Sequence, residues 1–319
     1  MKFEAIKDKQ RAIILSTDIS GDCDDVGAIA LMHSYADEYG YDILGMCNCT
    51  TRREGTKTLY AINKFLGRAD IPLGEYAYHT LPINAESSKY TDEIARRFGD
   101  GAPDPMESTA FYRKLLSEAE DDSVVLVTIG FFTDIALLLE SAPDEYSPLC
   151  GTELVKRKVS HVVSMATKYP RGTEFNIRLA PAEAKRAFEL MPVDIYLSDF
   201  DLGHGMRVGF DYADKERLKD NPVYESYRLF SDAHNLDCKN NSYDLTAVQF
   251  AVLGEGDLYR VGKRGRLSFY TEPDDRDYKL FPYENNATEF IPDECGNVYI
   301  IEAIDKEAIR VSLERQIRQ

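Results

Sequence analysis

Short apolar runs of strand length alternate with amphipathic helical patterns along most of the chain, and this alternation most constrains the fold. Five such runs occupy residues 12–18, 42–49, 124–130, 159–165 and 193–199. Helical patterns, such as those over 24–40 and 181–191, lie between them. Nearly continuous apolar strands are typical of parallel sheets that are buried on both faces. The sequence therefore predicts an α/β fold, a mostly parallel, Rossmann-like open sheet covered by helices on both faces.

The C-terminal part of the chain has a different pattern. Residues 259–273 and 298–304 have strand-like composition, which predicts a small C-terminal hairpin region, and a final helix is expected over 305–318. No linker rich in Pro, Gly or Ser interrupts the chain, and no internal repeat is present. For 319 residues, a single domain over 1–319 is the simplest interpretation.

The charge balance argues against two classes of partner. The chain has 38 Lys and Arg against 55 Asp and Glu, a formal net charge of −17. A general binder of nucleic acid or of an anionic membrane is expected to be basic, so we expect neither partner. No apolar run approaches the roughly 18 residues of a membrane span, and none at the N-terminus suits a signal peptide. Six scattered cysteines form no CxxC pair. We therefore expect a cytoplasmic protein with reduced thiols.

Four aspartates crowd eight positions directly after the first predicted strand: Asp18, Asp22, Asp24 and Asp25. Turns and helix N-caps account for one or two of them, because aspartate side chains accept backbone N–H groups there. Four neighbouring carboxylates repel one another, and a bound cation relieves that repulsion. Carboxylate oxygens are the ligands that Ca²⁺ and Mg²⁺ require. The cluster therefore predicts a metal site beyond the carboxyl ends of the strands.

The segment STDISGDCDD, residues 16–25, resembles the acidic signature of the nucleoside hydrolase family, the inosine–uridine-preferring type and its looser relatives. The common form of that signature is Asp-x-Asp-x-x-x-Asp-Asp after the first strand. Further similar stretches are AINKFLGRADIPLG (61–74), VLVTIGFFTDIALLL (125–139), GTEFNI (172–177) and SYDLTAV (242–248). The resemblance covers most of the chain.

The resemblance implies hydrolysis of the N-ribosidic bond of a nucleoside or related riboside. It implies a Ca²⁺ ion held by Asp18, Asp25, Asp244 and the backbone carbonyl of Ile129. Asp18 would then be the general base that activates water. The implied sugar contacts are Asp24 or Asp22, Asn48, Glu174 and Asn176. We expect Glu174 and Asn176 to alternate on an extended segment and so to share a face. The resemblance also implies a homo-oligomer, a dimer or a tetramer.

The sequence departs from the family pattern at several of these positions. Five residues separate Asp18 from Asp24 where the common form has three, so Asp22 is an additional acid, and either it or Asp24 is the sugar contact. Ser16 occupies the position of the first Asp of the signature, and Asp134 that of a family Asn. The sugar-and-metal half of the site therefore matches the family better than the half that recognises the base.

Tyr243 replaces the family's His, which is often credited with protonating the leaving group. Tyr243 is either a catalytic residue or a packing residue at the start of a helix. An unperturbed tyrosine has a pKa of about 10 and is a poor proton donor at neutral pH. We therefore expect activated substrates such as p-nitrophenyl riboside to be cleaved much faster than inosine or uridine. His204, between two glycines, is either an exposed loop residue or a substitute contact.

Two other functions compete with the hydrolase. A non-catalytic, Ca²⁺-dependent sugar- or nucleoside-binding protein would keep the metal site, and the presence of Asp18 argues against it. A phosphatase with an aspartate nucleophile usually has an Asp-x-Asp pair after the strand, and Ser20 stands at the second position. The expected partner is a small nucleoside or riboside.

Overall fold

The computed structural model describes residues 3–9, 11–80, 87–270 and 287–318. The strands in these ranges are β1 Ala12–Thr17, β2 Ile43–Asn48, β3 Leu73–Glu75, β4 Met106–Glu107, β5 Val124–Ile129, β6 Val159–Met165, β7 Arg171–Gly172, β8 Asp194–Ser198, β9 Arg207–Gly209, β10 Lys239–Asn241, β11 Tyr259–Tyr270, β12 Ala287–Pro292 and β13 Val298–Ala303.

The helices account for most of the remaining described residues. They are α1 Asp24–Tyr39, α2 Arg53–Phe65, α3 Lys89–Phe98, α4 Ser108–Glu118, α5 Thr133–Glu140, α6 Gly151–Lys158, α7 Phe175–Leu179, α8 Pro181–Leu190, α9 Phe200–Gly203, α10 Lys215–Leu218, α11 Pro222–His234, α12 Tyr243–Leu253 and α13 Lys306–Ile317, with one 3₁₀ turn at Tyr212–Asp214.

One large sheet contains 11 of the described strands, in the order β4-β3-β2-β1-β5-β6-β8-β13-β11-β12-β7. All neighbouring strands from β4 to β13 are parallel. The remaining pairs, from β13 to β7, are antiparallel. The predicted α/β fold with a mostly parallel sheet is confirmed.

The strands of the predicted C-terminal hairpin extend the central sheet. β11 pairs antiparallel with both β12 and β13, and β13 pairs parallel with β8, so these strands share the hydrogen-bond ladder of the main sheet. Residues 271–273 of the expected strand lie outside the described ranges. The final helix is present as α13.

Side chains of the central strands alternate between two hydrophobic cores, one on each face of the sheet. In β1, Ile13 and Leu15 join the core under α1 and α12, whereas Ile14 joins the core under α4 and α5. In β5, Val125 and Val127 join the first of these cores, and Leu126 joins the second. This two-residue period, with apolar residues on both faces, produces the continuous apolar runs seen in the sequence.

The chain order of the strands reverses next to β1. From β1 the chain proceeds through β2 and β3 toward one edge, and β5 then returns to the other side of β1. Loops that leave neighbouring strands in opposite directions open a crevice at the carboxyl ends, where ligands bind in sheets of this kind. In the described part of the chain, no helix combines the length and apolar character needed to cross a membrane.

Candidate functional site

A cavity of about 200 Å³ lies at the carboxyl ends of β1, β5 and β6. Its lining comprises Asp18, Gly21, Asp22, Asp24, Asp25, Ile129, Met165, Glu174, Phe175, Asn176, Phe200, Tyr243 and Asp244. A groove of about 870 Å³, lined mainly by α1, the segment 210–223 and the end of α13, is larger. We assign the site by its chemistry rather than its size, because the acidic cluster lines only the smaller of these two spaces.

The N-termini of two buried helices lie at the cavity. Asp24 and Asp25 open α1, and Asp244 lies in the first turn of α12. The backbone N–H of Asp244 donates to Asp24 Oδ2 at 3.1 Å, which joins the two helix ends. The positive ends of both helix dipoles thus face the carboxylates and offset part of their repulsion.

The loop before α1 holds two more acids at the cavity. Asp18 directly follows β1, and Asp22 Oδ1 accepts the N–H of Asp24 at 3.1 Å. The hydroxyl of Thr17, the last residue of β1, donates a short hydrogen bond to Asp25 Oδ1. Strand end, loop and helix start therefore each contribute to the placement of the carboxylates.

Burial and mutual repulsion raise the pKa values of these acids. Burial raises the pKa of Asp25 to about 8, and the charge of Asp22 contributes. The pKa of Asp18 is also raised well above its ordinary value, first by burial and then by Asp25, Asp22 and Glu174. The pKa of Asp244 is raised by burial and by Asp24. Without a compensating cation, these side chains therefore favour their protonated forms.

The donor set fits a hard divalent cation. One carboxylate oxygen from each of Asp22, Asp24 and Asp25 lies within 4.8 Å of the other two. Asp18 and Asp244 line the same cavity and are buried, at 4% and 5% exposure. Oxygen-only ligands suit Ca²⁺ or Mg²⁺, and a double positive charge would remove the repulsion among ionised carboxylates. The compact trio differs from the set implied by the resemblance, which is Asp18, Asp25, Asp244 and Ile129.

Ile129 reaches the cavity because the next residue is a glycine. Ile129 ends β5 in register with Thr17 of β1. A Cβ atom on Gly130 would lie 2.4 Å from the backbone nitrogen of Asp18. Any side chain at position 130 would therefore force the β5 end away from Asp18 and widen the site.

Glu174 and Asn176 both line the cavity, but the expected extended segment is wrong. Glu174 is the N-cap of α7, where its carboxylate accepts the N–H groups of Asn176 at 2.8 Å and Ile177 at 3.3 Å, and that of Thr167 at 3.2 Å. Burial raises the pKa of Glu174 to about 7, although these three N–H groups oppose the shift. Asn176 Nδ2 donates to the Met165 carbonyl at 3.1 Å, which leaves its Oδ1 as an acceptor.

The structure does not bring Asn48 to the cavity. Its Nδ2 donates to the Arg52 carbonyl at 2.8 Å and to Thr56 Oγ1 at 3.1 Å, and its Oδ1 accepts from Thr50. Asn48 is completely buried, and its amide fixes the turn between β2 and α2. The expected contact between Asn48 and a sugar is therefore not supported by its position.

Aromatic side chains form the other side of the cavity. Phe175 is 38% exposed and packs against Phe131, with ring centroids 5.7 Å apart. Phe200, from α9, stacks on Tyr243 at 5.1 Å. Phe175 and Phe200 could not be predicted as site residues, since nothing in the sequence around a single aromatic residue shows which cavity it will line. The Glu-Phe-Asn motif was the one available signal for Phe175.

Comparisons of sequence and comparisons of structure give different results for this chain. No family model matches the sequence, and a search of curated proteins finds no match. A plant nucleoside hydrolase, PpNRh1, superposes with a TM-score of 0.70 over 97% of this chain and 99% of its own, at 18% identity. The purine-preferring ribonucleoside hydrolase from Gardnerella vaginalis gives 0.67 over 96% and 98%, at 16% identity.

This chain has the nucleoside hydrolase fold. The same fold occurs in the type III effector XopQ, solved in complex with adenosine diphosphate ribose, which superposes with a TM-score of 0.67 over 99% of this chain and 95% of its own, at 14% identity. Fold alone does not establish an activity, because the nucleoside hydrolase fold carries enzymes and an effector among these neighbours. The function therefore depends on the side chains in the cavity.

Proposed function

We propose that this protein is a Ca²⁺-dependent hydrolase of the N-ribosidic bond of a nucleoside or related riboside. One observation carries the proposal: Asp18, Asp25, Asp244, Glu174 and Asn176 all line one cavity at the carboxyl ends of the strands. The nucleoside hydrolase fold of this chain supports the same chemistry by analogy.

The proposed ligands of the cation are Asp18, Asp25, Asp244 and the carbonyl of Ile129, all of which line the cavity. Asp22 and Asp24 remain alternatives for the sugar contact, and Asp24 already accepts the Asp244 N–H through one oxygen. A Ca²⁺ ion held there would offset part of the charge of the buried carboxylates and would lower the pKa of a nearby water.

The chain's own groups then carry out three tasks. Asp18 takes the proton of the attacking water as the bond from the sugar to the base breaks. The Asn176 amide oxygen and the Glu174 carboxylate hold ribose hydroxyls at the buried end of the cavity. Together with the aspartates they place negative charge beside the ring, where positive charge develops in an oxocarbenium-like transition state.

A non-catalytic binding protein is the second candidate. The fold neighbour XopQ, solved with adenosine diphosphate ribose, favours it, as does the absence of the family's His at position 243. Asp18 does not separate the two candidates, because a Ca²⁺-dependent binding protein would also need it as a metal ligand. Turnover of a riboside separates them. The phosphatase alternative is weaker, since the Ser20 hydroxyl is completely buried and contacts Thr91 Oγ1 at 3.3 Å.

The test compares Asp18→Asn with the wild-type protein and with Asp37→Asn. Asp37 lies in the same α1 helix, away from the cavity, and pairs with Arg68. Asp18→Asn is expected to lower the turnover of p-nitrophenyl riboside by at least about 10²-fold. It is also expected to weaken Ca²⁺ binding in calorimetry of chelator-treated protein, while Asp37→Asn changes neither.

Two results would contradict the hydrolase. One is the absence of Ca²⁺ binding tighter than millimolar. The other is the absence of ribose release from p-nitrophenyl riboside, inosine and uridine by Ca²⁺-loaded wild-type protein. Ca²⁺-dependent binding of ribose without turnover would instead support the binding protein.

A further inference from the structure

Three nearly parallel rings stand beside the cavity. His204 and Tyr243 both stack on Phe200, with centroid distances of 4.8 Å and 5.1 Å and interplanar angles of 24° and 25°. The His204 and Tyr243 rings are also nearly parallel, with centroids 6.3 Å apart and an interplanar angle of 21°, and His204 Nδ1 is 3.0 Å from the Tyr243 hydroxyl. Phe200 and Tyr243 line the cavity, whereas His204 is exposed behind them.

A glycine permits this close approach. His204 follows α9, and its N–H donates to the Phe200 carbonyl at 3.1 Å. A Cβ atom on the preceding residue, Gly203, would lie 2.6 Å from the Ser242 carbonyl oxygen and from Tyr243 Cα. The end of α9 is thus packed directly against the start of α12, and backbone packing fixes His204 beside Tyr243.

Asn241 limits the directions in which the Tyr243 hydroxyl can point. The N–H of Gly205 donates to Asn241 Oδ1 at 3.1 Å, which fixes the orientation of the amide. Asn241 Nδ2 therefore donates to the Tyr243 oxygen, at 3.1 Å. The phenolic proton is left with two possible acceptors, His204 Nδ1 or a group in the cavity.

The charges around the cavity favour the second direction. Asp24 and Asp22 lie close enough to act electrostatically on the Tyr243 hydroxyl. When Ca²⁺ holds these aspartates in their ionised forms, its two positive charges offset only part of the charge of the five aspartates in the cavity. The remaining negative charge draws the phenolic proton toward the cavity. The Tyr243 oxygen then turns a lone pair toward His204, which suits a protonated Nδ1 as donor.

We propose that His204 is a positioning residue, whose Nδ1–H donates to the Tyr243 oxygen and so directs the phenolic proton toward the leaving group. This inference rests on the proposed hydrolase function. As the bond to the sugar breaks, its electron pair stays on the departing base, and a fixed donor stabilises that charge. A purine or pyrimidine needs this donor more than p-nitrophenolate, which leaves readily without help. His204 therefore affects nucleosides selectively.

The experiment measures kcat and KM for inosine and for p-nitrophenyl riboside in His204→Phe, His204→Asn and Tyr243→Phe. Phenylalanine keeps a flat ring against Phe200 but offers no donor, whereas asparagine can place an N–H where His204 has Nδ1. The activated riboside serves as an internal control for folding and for the metal site.

We expect His204→Phe to lower kcat for inosine at least about 10-fold and Tyr243→Phe to lower it roughly 10²-fold, as for loss of a transition-state donor. His204→Phe should cleave p-nitrophenyl riboside within about twofold of wild type, since that leaving group needs no donor. Tyr243→Phe should lower the rate for inosine far more than the rate for p-nitrophenyl riboside, for the same reason. His204→Asn should recover part of the inosine rate. In the Tyr243→Phe background, His204→Phe should have no further effect, because the two act as one unit.

The outcomes separate the two proposals. If wild-type protein cleaves neither substrate, the hydrolase function is wrong and the role of His204 falls with it. If wild-type protein cleaves both, and His204→Phe changes both equally, changes neither or accelerates inosine, only the role of His204 is wrong. A ¹⁵N NMR spectrum in which His204 Nδ1 carries no proton would contradict the proposed role of His204 independently of any activity measurement.

Discussion

Ser16 and Asp134 are hydrogen-bonded to each other, although they lie 118 positions apart in the chain. Ser16 Oγ donates to Asp134 Oδ2 at 2.8 Å, and the Tyr112 hydroxyl donates to the same oxygen at 2.6 Å. These are the two positions at which the resemblance expects Asp on the strand and Asn on the helix. The two departures from the family pattern are therefore hydrogen-bonded to each other in this structure.

Asp134 is completely buried, and burial raises its pKa to about 6. An acid whose folded pKa is raised contributes stability that is lost as pH rises from about 4 through 6, because the unfolded chain ionises first. We expect Asp134→Asn to remove this loss and to raise the free energy of unfolding at pH 8 by about 1–2 kcal/mol. The advantage should shrink at pH 5, as measured by urea unfolding.

Asp37→Asn is the control for this substitution, since Asp37 is exposed on α1. Asp37→Asn should leave the pH dependence of the free energy of unfolding unchanged. A variant Asp134→Asn that is less stable than wild type at pH 8 would show that the ionised carboxylate, bonded to Ser16, Tyr112 and the Ile135 N–H, stabilises the fold.

At the scale of elements, the sequence predicted the five central strands to within one residue at either end. Their apolar runs are long because both faces are buried, which is a local signal. Helix α7 was missed because its 5 residues are too few to show a helical period. Its N-cap is Glu174, whose side chain accepts the N–H groups of Asn176 and Ile177, and a glutamate in this role is not visible as a helix start in the sequence.

Helix α13 offers a prediction about capping that is independent of the site. Asp305 is its N-cap, and Asp305 Oδ1 accepts the N–H groups of Glu307 and Ala308, both at 3.0 Å. Asp305→Ala should lower the free energy of unfolding by about 1 kcal/mol, whereas Asp305→Asn, which keeps an acceptor, should lower it by less. Urea unfolding measures both. An equal loss in the two variants would indicate that the charge of Asp305, rather than its hydrogen bonds, matters.

At the scale of the whole molecule, the sequence shows the metal-binding side of the cavity better than the side for the leaving group. Four of the five aspartates lie within eight positions and repel one another, so their crowding is visible without a structure. Phe175 opens α7 and Phe200 opens α9, and only the fold brings these two side chains to the cavity and His204 beside them. Fold neighbours at 14–18% identity cannot supply this half, because they share the framework and little of the sequence.

The buried carboxylates lead to a prediction about the stability of the whole molecule. The stability of chelated protein and the stabilisation by Ca²⁺ should change in opposite directions with pH. In chelated protein the raised pKa values, about 8 for Asp25, mean that stability falls as pH rises from 5 to 8. Ca²⁺ binds the ionised form and competes with protons, so its stabilisation should grow over the same range. At 100 times Kd it should reach about 2.7 kcal/mol.

Thermal unfolding at pH 5 and pH 8, with chelator or with millimolar Ca²⁺, measures this difference. Asp25→Asn removes both a proposed ligand and one of the repelling charges, so it should raise the stability of chelated protein at pH 8 and reduce the gain from Ca²⁺. Asp37→Asn should behave like wild type, because Asp37 lies away from the cavity on the same helix. An equal Ca²⁺ gain at both pH values would mean that the cation binds elsewhere than at the protonated cluster.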